Sequence, residues 1–458
     1  MHTTRFPGVA MTARRAAALT AALVLGGCAT FSSDGGFEEV RSLTQARTGQ
    51  QPVWTRSPVS SQAAMARVAE LVHAPLTGDA AMQIALMNNP GLQATFHELG
   101  IAEADLVRVG RLRNPTFDFT NLRGGGAAEI DRAIVFDLLS LVTIPLKVQL
   151  EQRRFAQTQV QVARQAVYVA ANARRAWVHA VASLEMQHYA EQVKEAAEAS
   201  AQLAARMAKA GNFSKLAQMQ EQAFYADATA QLARAHQQAT SDRERLTRLL
   251  GLQQSDGYRL PEHLPEPPKR AAEPGEVERV AMDQRLDVLE AKRSAEAVAE
   301  AYHLSRTTGF INVLDAGYAN KSATGEPGKR GYELSVELPL FDFGLVRNAR
   351  AEASYLQAVE RAREVAVAAR SEAREAYAGY LMAYELARHY RDEVVPLRKR
   401  ISDENQLRYN AMLISVFELL ADSREQIASV TAAIAALRDF WLADIDLNLT
   451  LTAGAPQP

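Results

Sequence analysis

The chain has 458 residues, 48% of them apolar, and a formal net charge of −2. That apolar content supports a large core, and the near-neutral balance excludes a general electrostatic preference for nucleic acid. A single cysteine, Cys28, excludes an intramolecular disulfide and any cysteine-based metal cluster.

Arg14 and Arg15 precede an apolar run, Ala16 to Leu25, and the small residues Gly26 and Gly27. This is the layout of a secretory signal, with Met11 as a start that gives it a basic region of ordinary length. The run is too short to span a bilayer. Leu25-Gly26-Gly27-Cys28 resembles the lipobox of bacterial lipoproteins, which implies acylation of Cys28 and, with Ala29 in place of aspartate behind it, sorting to the outer membrane. Residues 29–78 are polar, carry Pro52, Pro58 and Pro75, and read as a largely irregular arm.

From Asp79, a candidate N-cap, a helical pattern runs to about Arg113, and Pro90 inside "NNPGLQ" disturbs one turn. Between Thr116 and Ile144 the period becomes two: "TFDFTNL", the turn residues of "RGGGAAE" and then "RAIVFDLLSLV" predict a hairpin. Pro145 opens a long alanine-rich helix to Ala210, with a heptad seam at Ala166, Ala170, Ala173, Trp177, Ala180 and Leu184. After the turn Gly211-Asn212-Phe213, Ser214 caps a helix that stops at Gly251.

A proline-rich joint, 252–275, divides the chain, and the same order then repeats. Leu92, Ala94 and Ala102-Glu103-Ala104 match Leu289, Ala291 and Ala299-Glu300-Ala301, while Ser214 matches Ser415. The predicted layout is signal 1–27, anchored arm 28–78, first repeat 79–251, joint 252–275, second repeat 276–450 and tail 451–458. In the second repeat the hairpin lies between Phe310 and Leu340. Its last strand puts Tyr332, Leu334, Val336 and Leu338 on one face, and Glu333, Ser335 and Glu337 on the other. Tyr377, Tyr380 and Tyr384 continue a helical seam, and Pro396 predicts a kink.

A soluble sheet would bury the apolar face, whereas a membrane barrel turns it to lipid and keeps the acids in a wet lumen. Four strands cannot close a barrel alone, and open edges are not tolerated in lipid, so the membrane reading forces assembly with other chains. Each long helix equals its two shorter partners end to end to within roughly 10–15 Å at 1.5 Å per residue, which predicts columns about 100 Å tall.

"ALMNNPGLQA" at 85–94, the duplicated plan, "LPLFDFGLVRNARAEA" at 338–353 and "RYNAMLISVFELL" at 408–420 resemble the TolC-like outer membrane factors. The resemblance covers nearly all of 79–450. It implies a mainly α fold with a membrane β part: four strands per chain, a trimeric twelve-stranded barrel and a periplasmic α-helical tunnel. The implied function is a passive exit duct in the outer membrane, receiving substrate from an inner membrane pump through a periplasmic adaptor. The implied partners are two further copies, outer membrane lipid, the adaptor and the pump; no nucleic acid, cofactor, metal or catalytic residue is implied.

By the same resemblance Gly211, Asn212, Phe213, Ser214 and Met412, Leu413, Ile414, Ser415 form the periplasmic tip that meets the adaptor. Arg408-Tyr409 is kept there, but Met412 stands where relatives have glycine, and the first turn lacks the arginine–tyrosine pair. Glu418 and Asp422 are candidates for an acidic ring in the pore, where three converging Glu418 carboxylates would repel one another and raise some of their pKa values. Pro339, Phe341, Asp342 and Gly344 form the strand–helix junction, structural in role, with Asp342 a cap and Gly344 a tight turn.

Enzymatic motifs are missing: nine histidines show no paired metal spacing, and neither a phosphate loop nor a nucleophile elbow occurs. The alternative to a channel is a lipid-anchored periplasmic coiled-coil scaffold whose hairpins are soluble sheet.

Overall fold

A computed structural model describes residues 30–273, 275–308, 313–337, 341 and 344–454. Leu25, Gly26, Gly27 and Cys28 lie outside the described residues, as do Pro339 and Asp342. In chain order come α1 (Phe37–Thr48), α2 (Pro58–His73), α3 (Gly78–Asn88), α4 (Pro90–Val109), β1 (Thr116–Gly124), β2 (Ala127–Asp137), α5 (Leu138–Lys209) and α6 (Lys215–Leu250). The second half has α7 (Val277–Gln284), α8 (Leu286–Thr308), β3 (Leu314–Ala323), β4 (Lys329–Val336), α9 (Leu345–His389), a π-helical turn (Tyr390–Val394), α10 (Val395–Asn410) and α11 (Val416–Thr452).

Three local expectations are corrected. The arm is substantially helical, because Ser57-Pro58 is a start signal: the Ser57 hydroxyl accepts from the Ser60 amide at 3.2 Å while Ser60 Oγ accepts from the Ser57 amide at 3.0 Å. Thr77, not Asp79, caps α3, accepting from the Ala80 amide at 3.1 Å; Asp79 falls in the first turn, where its charge suits the helix dipole. The run "LLSLV" is helix rather than strand, since Asp137 accepts the Ser140 amide at 2.7 Å and starts α5 seven residues before Pro145.

The duplication is visible in backbone conformation. One extended residue splits each entry helix, Asn89 (φ −68°, ψ 117°) in the first half and Arg285 (φ −65°, ψ 129°) in the second. Pro90 makes the first break intelligible from sequence; nothing of the kind marks the second. Ahead of Pro396 the chain widens into the π-helical turn, which absorbs the hydrogen bond that proline cannot donate.

The chain divides into two compact units. The first holds residues up to Glu38, His97–Gln161 and Leu289–Val365, and contains the sheet. Here Ser32 donates its amide to the buried Glu103 carboxylate at 2.6 Å, and the Gly36 carbonyl accepts from Gln159 at 2.9 Å. The second holds Glu39–Phe96, Val162–Val288 and Ala366–Pro458. Its core follows the predicted seams: Ala173, Ala176, Trp177 and Ala180 pack with Ile84, Ala85, Leu246 and Leu250, and small side chains let these helices approach closely. In the other half Tyr380 and Tyr384 are buried with Phe440, Leu447 and Leu451. The proline-rich joint is fastened to this core, as Tyr384 donates to the Pro268 carbonyl at 3.0 Å and Trp441 to that of Pro265 at 2.8 Å. Among the described residues no helix is long and apolar enough to cross a membrane.

Candidate functional site

The four strands form one antiparallel sheet in the order β1-β2-β3-β4, so β1 and β4 each keep an unpaired edge. The register aligns Phe117, Ile134, Tyr318 and Tyr332 in one rung, with Phe136, Ala316 and Leu334 in the next on the same face. Apart from the half-buried Ala316, these apolar side chains are exposed, Tyr332 at 93%. On the opposite face Asp131 pairs with Lys321 at 3.0 Å, and Thr120 and Lys329 complete their rung. Gly317 favours the close pairing of β3 with β2, because a Cβ there would lie 3.0 Å from the Ile134 carbonyl oxygen and force it to shift. Of the predicted junction, Phe341 is fully exposed and Gly344 has φ +75°, the left-handed conformation expected of a tight turn.

The two helical turns are built alike. At the first, Gly211 adopts φ +78°, the Asn212 amide bonds the Met207 carbonyl at 3.0 Å, and Ser214 caps α6 through the Ala217 amide at 3.1 Å. At the second, Met412 takes the left-handed conformation (φ 59°), and the Leu413 amide bonds the Arg408 carbonyl at 2.9 Å. Met412 is the one described non-glycine residue with positive φ, and its side chain is 92% exposed. Phe213 stacks on Phe417 at 4.9 Å between ring centres, bringing the turns together, while Leu216 and Leu413 are exposed beside them. Ile414 is half-buried.

Because an L-residue in the left-handed region is strained, Met412→Gly is expected to stabilise the turn by about 0.5–1 kcal/mol, the strain released less glycine's larger unfolded-state entropy. Slower amide exchange across residues 407–416 checks this.

Glu418 sits at the third position of α11 in a capping box: its carboxylate accepts from the Ser415 amide at 2.8 Å and hydroxyl at 3.0 Å. Those bonds favour the ionised form and lower its pKa from the ordinary 4.5. A depressed carboxylate stabilises fully above its unfolded pKa and loses that contribution as pH falls through the folded one. Glu418→Ala should therefore loosen the start of α11 at pH 7 and make no difference well below pH 4.5, readable by amide exchange at the two pH values.

Asp422 is buried, and its Oδ2 accepts no hydrogen bond from the described residues. The duplication places Glu221 at the equivalent position, as far beyond Ser214 as Asp422 is beyond Ser415. Glu221 is also buried and paired: Arg424 lies 2.7 Å away, Ser200 donates at 2.8 Å, and the guanidinium covers the Phe224 ring at 4.7 Å. Sequence reading missed this link between α6 and α11, although the repeat offset carries Asp422 onto Glu221. Among the described residues no group of His, Cys, Asp and Glu could hold a metal ion.

An apolar, exposed sheet face and two long-helix turns of matching build define the TolC-like outer membrane channel fold. Solved structures with this architecture include CusC, whose structures concern transmembrane channel formation, at 16% identity over 82% of this chain and 92% of that one, TM-score 0.68. The outer membrane channel CmeC of Campylobacter jejuni is 14% identical over 82% of this chain and 86% of its own, TM-score 0.67. The outer membrane protein VceC of Vibrio cholerae is 14% identical over 82% and 96%, TM-score 0.67. No protein-family model and no curated protein matches the chain by sequence.

Proposed function

We propose that the chain is the outer membrane channel of a tripartite efflux or export system, a passive duct without chemistry of its own. The observation that carries this is the sheet: one face apolar and exposed, the other charged, both edges unpaired. Such a sheet is stable in lipid only when its edges are closed and its apolar face meets hydrocarbon. Three copies, each giving its four strands, close one twelve-stranded barrel.

The exposed apolar turns at Met412, Leu413 and Leu216 then form the docking end for a periplasmic adaptor, since contiguous exposed apolar surface marks interaction sites. Cys28 carries the lipid, and with a barrel holding the trimer its role is sorting or assembly; Cys28→Ser should reduce trimer yield in the outer membrane, counted by membrane fractionation. Glu418 is the candidate for the acidic ring, and Glu418→Ala should alter cation block of the open pore. The decisive measurement is reconstitution of the purified chain in planar bilayers. Heat-resistant trimers with ion conductance support the channel, whereas a monomer released on removing the lipid, without conductance, supports the scaffold.

A further inference from the structure

The register sorts the strand acids from the strand arginines without exception, while Lys321 and Lys329 stand with the acids. The carboxylates Asp118, Glu129, Asp131, Asp137, Asp315 and Glu333 all fall on the polar face, and the arginines Arg123, Arg132 and Arg330 all fall on the apolar one. Arg132 and Arg330 share a rung with Phe119 and Asn320, one step beyond the Phe117–Ile134–Tyr318–Tyr332 rung and toward the loops. Arg123 lies further toward the β1–β2 turn on the same face. All three are exposed, Arg132 stands 6.0 Å over the Phe119 ring, and among the described residues no carboxylate pairs with them.

From the Leu314–Val336 rung to the arginine rung is roughly 20 Å along the strands at 3.4 Å per residue, so the cations begin where the apolar band ends. A guanidinium is costly inside hydrocarbon, tolerated at headgroup level, and matches the fork geometry of a phosphate. With two strand steps between them, Arg132 and Arg330 stand about 10 Å apart at the backbone, far enough to engage separate phosphates.

We propose that Arg132 and Arg330, supported by Arg123, form a docking surface for the phosphorylated headgroup of an outer-leaflet lipid. The inference rests on the channel reading, which turns the loops outward and the apolar face to lipid. A second copy is a poor occupant, because it would meet the strand edges rather than this face.

The test uses the full chain, purified in detergent and offered lipid A or its dephosphorylated form, with bound lipid counted by native mass spectrometry. Wild type is expected to retain lipid A in preference to the dephosphorylated form. Arg132→Gln/Arg330→Gln should weaken retention about thirtyfold, at about fivefold per cation. Arg132→Lys/Arg330→Lys should keep part of it, and Lys321→Gln/Lys329→Gln, on the opposite face, should change nothing. Equal retention of the two lipids by wild type overturns the proposal whatever the variants do, as does equal loss in the Lys321/Lys329 variant. Trimers and conductance of wild type are recorded in the same preparations. Their absence removes the channel reading, whereas their presence without lipid preference removes this inference alone.

Discussion

Replacing Arg285 with alanine is expected to destabilise the helical unit by up to about 3–5 kcal/mol, because it leaves the half-buried Asp287 and Glu372 carboxylates without their cation. The Arg285 side chain is 1% exposed and lies 2.6 Å from Asp287 and 2.8 Å from Glu372. Burial alone would lower its pKa, but hydrogen bonds and charge from Asp287 and Glu372 more than offset this and leave it raised. The bridge spans the break between α7 and α8 and reaches α9, so its loss uncouples three helices. Arg285→Ala should lower the thermal midpoint by several degrees, or abolish recovery of folded protein. Arg285→Met should recover part of the loss only together with Asp287→Asn and Glu372→Gln, since the cost lies in the unpaired charges. An Arg285→Ala chain as stable as wild type would show that the bridge contributes nothing.

Gly251→Ala is the second large effect. Gly251 ends α6 at φ +68°, and a Cβ there would stand 2.3 Å from the Asn88 carbonyl oxygen, which is backbone and cannot swing away. Asn88 also donates to the Leu250 and Gly251 carbonyls, each at 2.9 Å, and Asn89 to that of Leu249 at 2.9 Å, so the site has little room to relax. Left-handed strain of about 1–2 kcal/mol and overpacking of about 1–3 kcal/mol add to roughly 2–5 kcal/mol. Gly275→Ala is the control: Gly275 has the same φ of +68° with nothing within 4 Å, and should show the strain term alone. Urea midpoints of the two variants separate these terms, and equal shifts would refute the packing argument. The second repeat is built on the same logic, since a Cβ on Gly454 would stand 2.2 Å from the Asp287 carboxylate. In both halves the residues at the break of the entry helix hold the glycine that ends the last helix.

Much of this was legible in the residues because it depends on local rules. Ser214 and Ser415 cap their helices as the sequence predicts, Gly251 stops α6, and the alternation of "YELSV" sets the two faces of β4. The seam through Ala173, Trp177 and Ala180 is buried as its four-three spacing requires. What escaped was decided between segments distant in the chain. Arg285 reads as one charged residue among many until α9 brings Glu372 to it, and Glu221 reads as a solvated acid until Arg424 arrives across more than two hundred residues. The helical arm escaped for a different reason: its Ser-Pro start signal was hidden in a polar composition.

The sequence by itself determined the duplicated plan, the helix seams, the two turns and the four strands, because periodicity, capping and turn chemistry act over a few residues. Only the tertiary structure decided which charges are paired, and the register that sends every strand acid to one face and every strand arginine to the other across all four strands. A strand fixes the alternation of its own side chains, but which of its two faces joins its neighbours' is set by hydrogen bonds between strands far apart in the chain.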